Sequence, residues 1–328
     1  MFRIRQFLAL AGLTAIEAIR QPICLLLATS CVLLTALVPV LSLHNFGEDG
    51  KLARDSGLAA YFVFGLFLAG YAACSSLSRE MRTGTASAVL SKPVGREMFF
   101  LAKFVGIACV ILAFSLCAGI TTLLAERVSE KFYTTKTLQG WILDKRTGTL
   151  LAAAPFAAYL AAAFVNYLRR RPFGSVAFTF LMLSLVAVML VSCFYDQAGG
   201  PAPFNARVEW RLVPACLLIT MALVVLAAIA LAVSTRFGTV PTLTICFGLF
   251  VVGLMSDYLF GRAAETSGIA AFAYRVLPNW QHFWVSDALT GGGHIPWSYV
   301  AAASVYAGLY LAAVLCLGVL SFRYADMK

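Results

Sequence analysis

Apolar runs about twenty residues long recur along this chain, and few architectures accommodate them, since a helix needs about 20 mostly apolar residues to cross a bilayer. Such windows fall at approximately 23–43, 58–77, 99–124, 150–168, 173–195, 212–234, 239–260 and 297–322. The fourth is the weakest, being short, Ala-rich and interrupted by Pro155. Charge agrees: only 12% of the 328 residues are Asp, Glu, Lys or Arg, against about 25% in soluble domains. The pattern predicts an all-α polytopic membrane protein with about eight transmembrane helices. An even number of spans puts both termini on one side.

Basic residues choose that side. If both termini face the cytoplasm, this face holds 14 of the 25 Lys and Arg, packed into short loops and tails. Longer outer segments hold the rest together with most of the acidic residues. Loop density therefore predicts N-in, C-in. All five Trp (Trp141, Trp210, Trp280, Trp284 and Trp297) fall in or beside the outer segments, as an interfacial belt would.

The net charge of +10 does not argue for nucleic acid, because the cations sit at span ends rather than along one face with interleaved aromatics. Membrane lipids with anionic headgroups are the partners this distribution suits. Nine cysteines fall inside the windows without a CxxC pair and read as small apolar packing residues. His282 and His294 could approach a metal outside the membrane, or be ordinary loop histidines. At the N-terminus, Arg3 and Arg5 before an apolar stretch resemble a signal peptide, but Glu17, Arg20 and Pro22 follow without a convincing cleavage site. The alternative is an interfacial helix carrying Phe2, Leu8, Leu13 and Ile16 on its apolar side, ended by Pro22.

Between the second and third windows lies a charged island, residues 78–103, reading SREMRTGTASAVLSKPVGREMFFLAK. Arg79, Arg82, Lys92, Arg96 and Lys103 oppose Glu80 and Glu97. Each charge costs roughly 2.5–3.5 kcal/mol at the bilayer centre, so the island belongs in water. Residues 78–82 continue the second span. Gly84, between Thr83 and Thr85, breaks it. Residues 86–90 can form a short helix capped by Thr85, ended at Ser91-Lys92-Pro93. Pro93 then opens a helix through Arg96 and Lys103 into the third span. This predicts a short helix across the cytoplasmic mouth, placed to meet a soluble partner; the plainer reading is a solvated basic loop.

The order Glu80, Gly84-Thr85, Leu90, Ser91, Pro93-Val94, Arg96, Lys103 resembles the signature of ABC-2 type transporter permeases. Thr14 to Pro22 (TAIEAIRQP) is similar to that family's N-terminal interfacial helix. Leu277-Pro278-Asn279-Trp280 with Phe283, and a last span ending Phe322-Arg323-Tyr324-Ala325-Asp326, are similar to its C-terminal third. The resemblance implies a transporter half, an exporter, in the cell membrane (the inner membrane in bacteria). It implies two partners: a separate ABC ATPase subunit that binds ATP and Mg, and a second permease copy or relative. It also implies that Glu80, Arg82, Gly84, Thr85, Leu90, Pro93 and Arg96 contact that ATPase and carry coupling, not catalysis. No GxxxxGK[ST] loop occurs in the chain itself. The family's usual core has six spans, so 150–195 reads as an inserted helix pair, joined by Arg169-Arg170-Arg171-Pro172. The expected organisation is an interfacial helix at 1–22, spans with the coupling segment at 23–125, and outer loops at 126–149 and 196–211 flanking the pair. C-terminal spans with an outer segment at 261–296 complete it over 212–328.

Asp257 could line a pathway or bind a cation, or be an interfacial acid paired with Arg262 or Tyr258. Residues 126–148 could cap the pathway or form an interfacial helix, and Pro278 suggests a broken or re-entrant helix. Two other function classes compete. An intramembrane enzyme needs converging catalytic groups at depth, yet no His lies in any window and Asp257 has no acidic partner inside one. A non-transporting anchor that recruits an ATPase shares the island and lacks only a pathway.

Overall fold

The computed structural model describes residues 2–41, 50–82, 95–135, 138–196, 200–201, 203–204, 208–261, 263 and 267–324. Among the described residues ten α-helices follow in order: α1 Phe2–Arg20, α2 Pro22–Leu41, α3 Lys51–Arg82, α4 Arg96–Val128, α5 Lys145–Arg169, α6 Phe173–Ser192, α7 Val213–Ser234, α8 Thr239–Leu254, α9 Gly268–Val276 and α10 Trp297–Arg323. Among them are seven helices, counting Trp210–Leu212 with α7, long and apolar enough to cross a membrane. The chain is a polytopic helical membrane protein. One antiparallel hairpin, β1 Lys131–Thr135 with β2 Leu138–Ile142, stands where a cap or an interfacial helix was open.

The seventh window, 239–260, departs from expectation. α8 has 16 residues, about 24 Å of helix against roughly 30 Å of hydrocarbon. Beyond it the chain makes one π turn, Asp257–Gly261, and folds back through α9. Tyr274 Oη and Asn279 Nδ2 both donate to Asp257 Oδ1, at 2.7 and 2.8 Å. Gln281 Nε2 donates to Leu254 O at 2.9 Å and Trp280 Nε1 to Leu249 O at 3.3 Å. The bond to Leu254 O satisfies a carbonyl that a longer helix would have satisfied itself. Gly253 is required there, since a Cβ would collide with the Pro278 carbonyl and the Trp280 ring. Trp280 is therefore fully buried and not part of an interfacial belt, whereas Trp210 and Trp297 are exposed.

α7 is apolar on every side and sits at the centre. Leu218, Ala222, Leu223, Leu226, Ala227 and Ala230 are all buried, with α3, α4, α8 and α10 around them. The window that looked weakest forms an unbroken helix. Asp144 caps α5, its Oδ1 accepting from Thr147 N at 2.9 Å. Leu151, Ala154, Ala158 and Ala162 turn inward while Phe156, Leu160 and Phe164 face out. That small-residue stripe allows close helix approach without a large apolar payload, which is why its hydropathy is low.

α1 packs through small residues as well. Ala11, Thr14 and Ala18 are buried, while Leu8, Leu13 and Ile16 point away from the protein, leaving an apolar face for lipid. A Cβ on Gly106 of α4 would lie 2.5 Å from the Ala11 carbonyl oxygen. Nothing lies within 4 Å of one on Gly12. Gly106→Ala should therefore cost about 1–3 kcal/mol through overpacking against backbone. Gly12→Ala should stabilise by about 0.5–1 kcal/mol. Thermal unfolding of both purified variants in one detergent tests the pair, and equal shifts would contradict this docking of α1.

Candidate functional site

Helix ends gather at two poles. The pole bearing both termini collects the end of α3, the starts of α4 and α6, the α7–α8 turn and the end of α10. Here α3 runs on to Arg82, as expected for 78–82, and α4 starts at Arg96 with Gly95 as N-cap. Gly84, Thr85, Leu90 and Pro93, with the expected short helix, lie outside the described residues, as do the side chains of Glu80 and Arg82.

The structure describes the seat of that segment on α4. Arg96 Nη1 donates to Arg323 O at 2.8 Å. Arg236 donates from Nε to Ser321 Oγ at 3.2 Å and from Nη2 to Ser321 O at 3.4 Å, and Thr235 Oγ1 lies 2.8 Å from Ser321 Oγ. The last carbonyls of a helix lack intrahelical partners and carry partial negative charge. Two guanidinium groups meet that need at the end of α10. Beneath them Phe322 stacks on Phe99 at 5.9 Å and tilts against Phe100 at 6.0 Å. A Cβ on Gly318 would lie 2.5 Å from the Phe100 ring, so the rings seat only over glycine. Lys103, expected in water with the rest of the island, is 3% exposed, with Nζ 5.6 Å from the Phe99 centroid. The island's aqueous part ends before it, because α1 and α10 both pack on α4.

The opposite pole holds a polar cluster that the sequence reading missed. Arg127 and Asp144 form an ion pair at 3.2 Å with side chains only 1% and 3% exposed. Arg127 Nη2 also donates to Tyr195 O, so one side chain ties α4 to the start of α5 and the end of α6. Thr147 Oγ1 donates to Asp144 Oδ2 at 2.6 Å. Lys131 Nζ lies 2.6 Å from Glu126 Oε1, and Gly50, at φ +69°, passes so near that a Cβ would lie 2.8 Å from the same oxygen. Arg54 Nη1 donates to Leu289 O at 3.0 Å, and Arg211 Nη1 to Gly292 O at 2.5 Å. Both fasten the segment before α10. The hydrogen bond from Arg211 holds the Glu209 carboxyl below the usual range, and donation to Asp257 pushes the Tyr274 hydroxyl up. A signal for this cluster existed: Asp144 three residues before Thr147 is a cap pattern.

Asp257 is exposed and takes Tyr274 and Asn279 as partners; Arg262 lies outside the described residues. The His282 ring stands edge-on to Tyr306 at 5.4 Å. No group of three or more His, Cys, Asp or Glu able to hold a metal occurs among the described residues. All nine cysteines are free thiols, most of them buried.

Spans fastened to one another at both poles define a multi-pass membrane protein. Residues 20–183 match the family described as ABC-2 family transporter protein, and the chain belongs to that family as a membrane-spanning permease subunit. The matched range takes in α5 and the first half of α6, the pair read as an insertion. Comparison with curated proteins and with solved structures gives no match.

Removing one partner of a buried pair leaves an uncompensated charge, at about 3–5 kcal/mol. Arg127→Met and Asp144→Asn should each destabilise on that scale. Arg127→Met/Asp144→Asn should fall well short of the sum, which a double-mutant cycle on thermal stability in nanodiscs measures.

Proposed function

We propose that this permease subunit couples ATP hydrolysis by a separate ABC ATPase to export of a substrate, with two permease copies enclosing the pathway. The termini-bearing pole is the cytoplasmic one, and ATP and Mg bind in the partner. What supports the reading is the seating of residues 83–94. This segment leaves the last turn of α3 and rejoins α4 at Arg96, which is bonded to the end of α10. A push delivered between these two ends reaches the spans through α3, α4 and α10. Glu80, Arg82, Gly84, Thr85, Leu90 and Pro93 would make the contact. Arg96 would hold its base, and closure of the ATPase dimer would drive a rigid-body switch.

The test is co-purification from the native membrane, with ATPase activity assayed in nanodiscs for wild type and Glu80→Ala/Arg96→Ala. Wild type should bring down an ATPase subunit. The variant should lose it, or keep it with stimulated turnover about tenfold lower, roughly 1.4 kcal/mol of coupling. Failure of any ATPase to associate would sink the proposal. Association without ATP-driven substrate movement would make the chain a recruiting anchor.

A further inference from the structure

The geometry points to a lipid site on the side wall of the bundle: we propose that one acyl chain of a membrane phospholipid lies along α7, between α4 and α6 on one side and α10 on the other. This does not depend on the ATPase reading. Two adjoining cavities of about 380 and 310 Å³ share Leu112, Leu217 and Thr220 as wall. The first runs toward the pole opposite the termini and reaches Trp210; the second reaches Val225 and Leu311.

Depth selects the occupant. From Val213 to Val225 is about 18 Å of helix at 1.5 Å per residue, close to one leaflet of a hydrocarbon core about 30 Å thick. The groove starts at an exposed Trp, the residue type that marks the membrane–water interface, and ends near mid-membrane. Its chemistry is aliphatic. Thr220 Oγ1 donates to Cys216 O at 2.7 Å and lies 2.7 Å from Tyr61 Oη. Ser304 Oγ donates to Val300 O at 2.7 Å. The wall's hydroxyls are thus turned into the protein, and the space offers methyl and methylene surface. Gly119 keeps it open: a Cβ there would meet only Cys216, at 3.7 Å. Arg211, the residue after Trp210, is 46% exposed and is bonded to Glu209 and Gly292 O.

A phosphatidylcholine carrying a diazirine within its acyl chain, in vesicles holding the full-length protein, tests the site by mapping labelled peptides. Label should concentrate on the α4 and α7 segments lining the groove. It should fall about tenfold in Leu112→Trp/Leu217→Trp, the scale at which an apolar pocket rejects a misfit of one methylene or more. Both positions are partly exposed (53% and 38%), so the added rings fill the groove and spare the core. Gly119→Leu is a second filler and should act alike. Labelling of the outward face of α5 at Phe156, Leu160 and Phe164 should stay constant. Label spread evenly over lipid-facing helices, or indifferent to the fillers, would overturn the proposal. A disulfide between two copies through Leu116→Cys, in a Cys109→Ser/Cys316→Ser background, would instead assign the groove to a second copy.

Discussion

Inside a bilayer a carbonyl that leaves the helical ladder has no water to turn to, and this constraint orders the structure more than any other. Several places where a span ends or irregular chain turns back are met by a long donor side chain. Arg96 and Arg236 reach the carbonyls ending α10, and Arg127 reaches Tyr195 O at the end of α6. Arg54 and Arg211 hold the segment before α10. Tyr310 donates to Val276 O and Tyr299 to His282 O, both at 2.9 Å. These arginines work by their reach, and a lysine, with one ammonium point, would not span two acceptors as Arg127 and Arg236 do.

The two poles differ in what their donors hold. At the termini-bearing pole they bind helix to helix: Arg96 and Arg236 both end on α10, over a layer of phenylalanine rings. At the opposite pole Arg127 joins α4 to Asp144 at the start of α5, while other donors hold irregular chain, the hairpin's base through Glu126 and Lys131 and the segment ahead of α10 through Leu289 and Gly292. Helix–helix clasps move as units, whereas carbonyl clamps on loops release one bond at a time. The pole across from the proposed coupling segment therefore combines one buried clasp with separable loop clamps.

Legibility followed hydropathy and stopped where hydropathy says nothing. The long windows became helices within a few residues of their expected limits, because twenty consecutive apolar residues leave no other option. α5 read as weak since alanines carry little transfer energy, yet their small size is what lets the helix pack. Lys103 and Trp280 went wrong for opposite reasons. A lysine among island charges was assigned to water although its stem and ammonium find an aromatic ring and two covering helices. A tryptophan near an interface was assigned to the belt although its indole N–H is spent on Leu249 O. The short α8 was hidden because the residues closing it, Tyr274, Asn279 and Gln281, arrive from later in the chain. Of the proposed coupling residues only Arg96 has a described side-chain environment, and its partner, Arg323 O, is 227 residues away, beyond any local pattern.

α4 and α10 are clasped to each other at the termini-bearing pole and face each other across the mid-membrane end of the proposed lipid groove. A rotation of one against the other changes the tilt at the Phe99–Phe322 stack and the width between Leu112 and Leu311 together, because each helix is continuous between those points. Two ligands that act on one such joint are coupled, and the coupling is reciprocal: whatever factor an ATPase contact imposes on acyl-chain binding, the acyl chain imposes on ATPase binding. The sign follows from packing. A chain lodged between α7 and α10 resists narrowing of the groove, so it favours whichever state of the clasp holds the two helices apart and opposes the other. On the proposed function, lipid in this groove would bias the proposed switch.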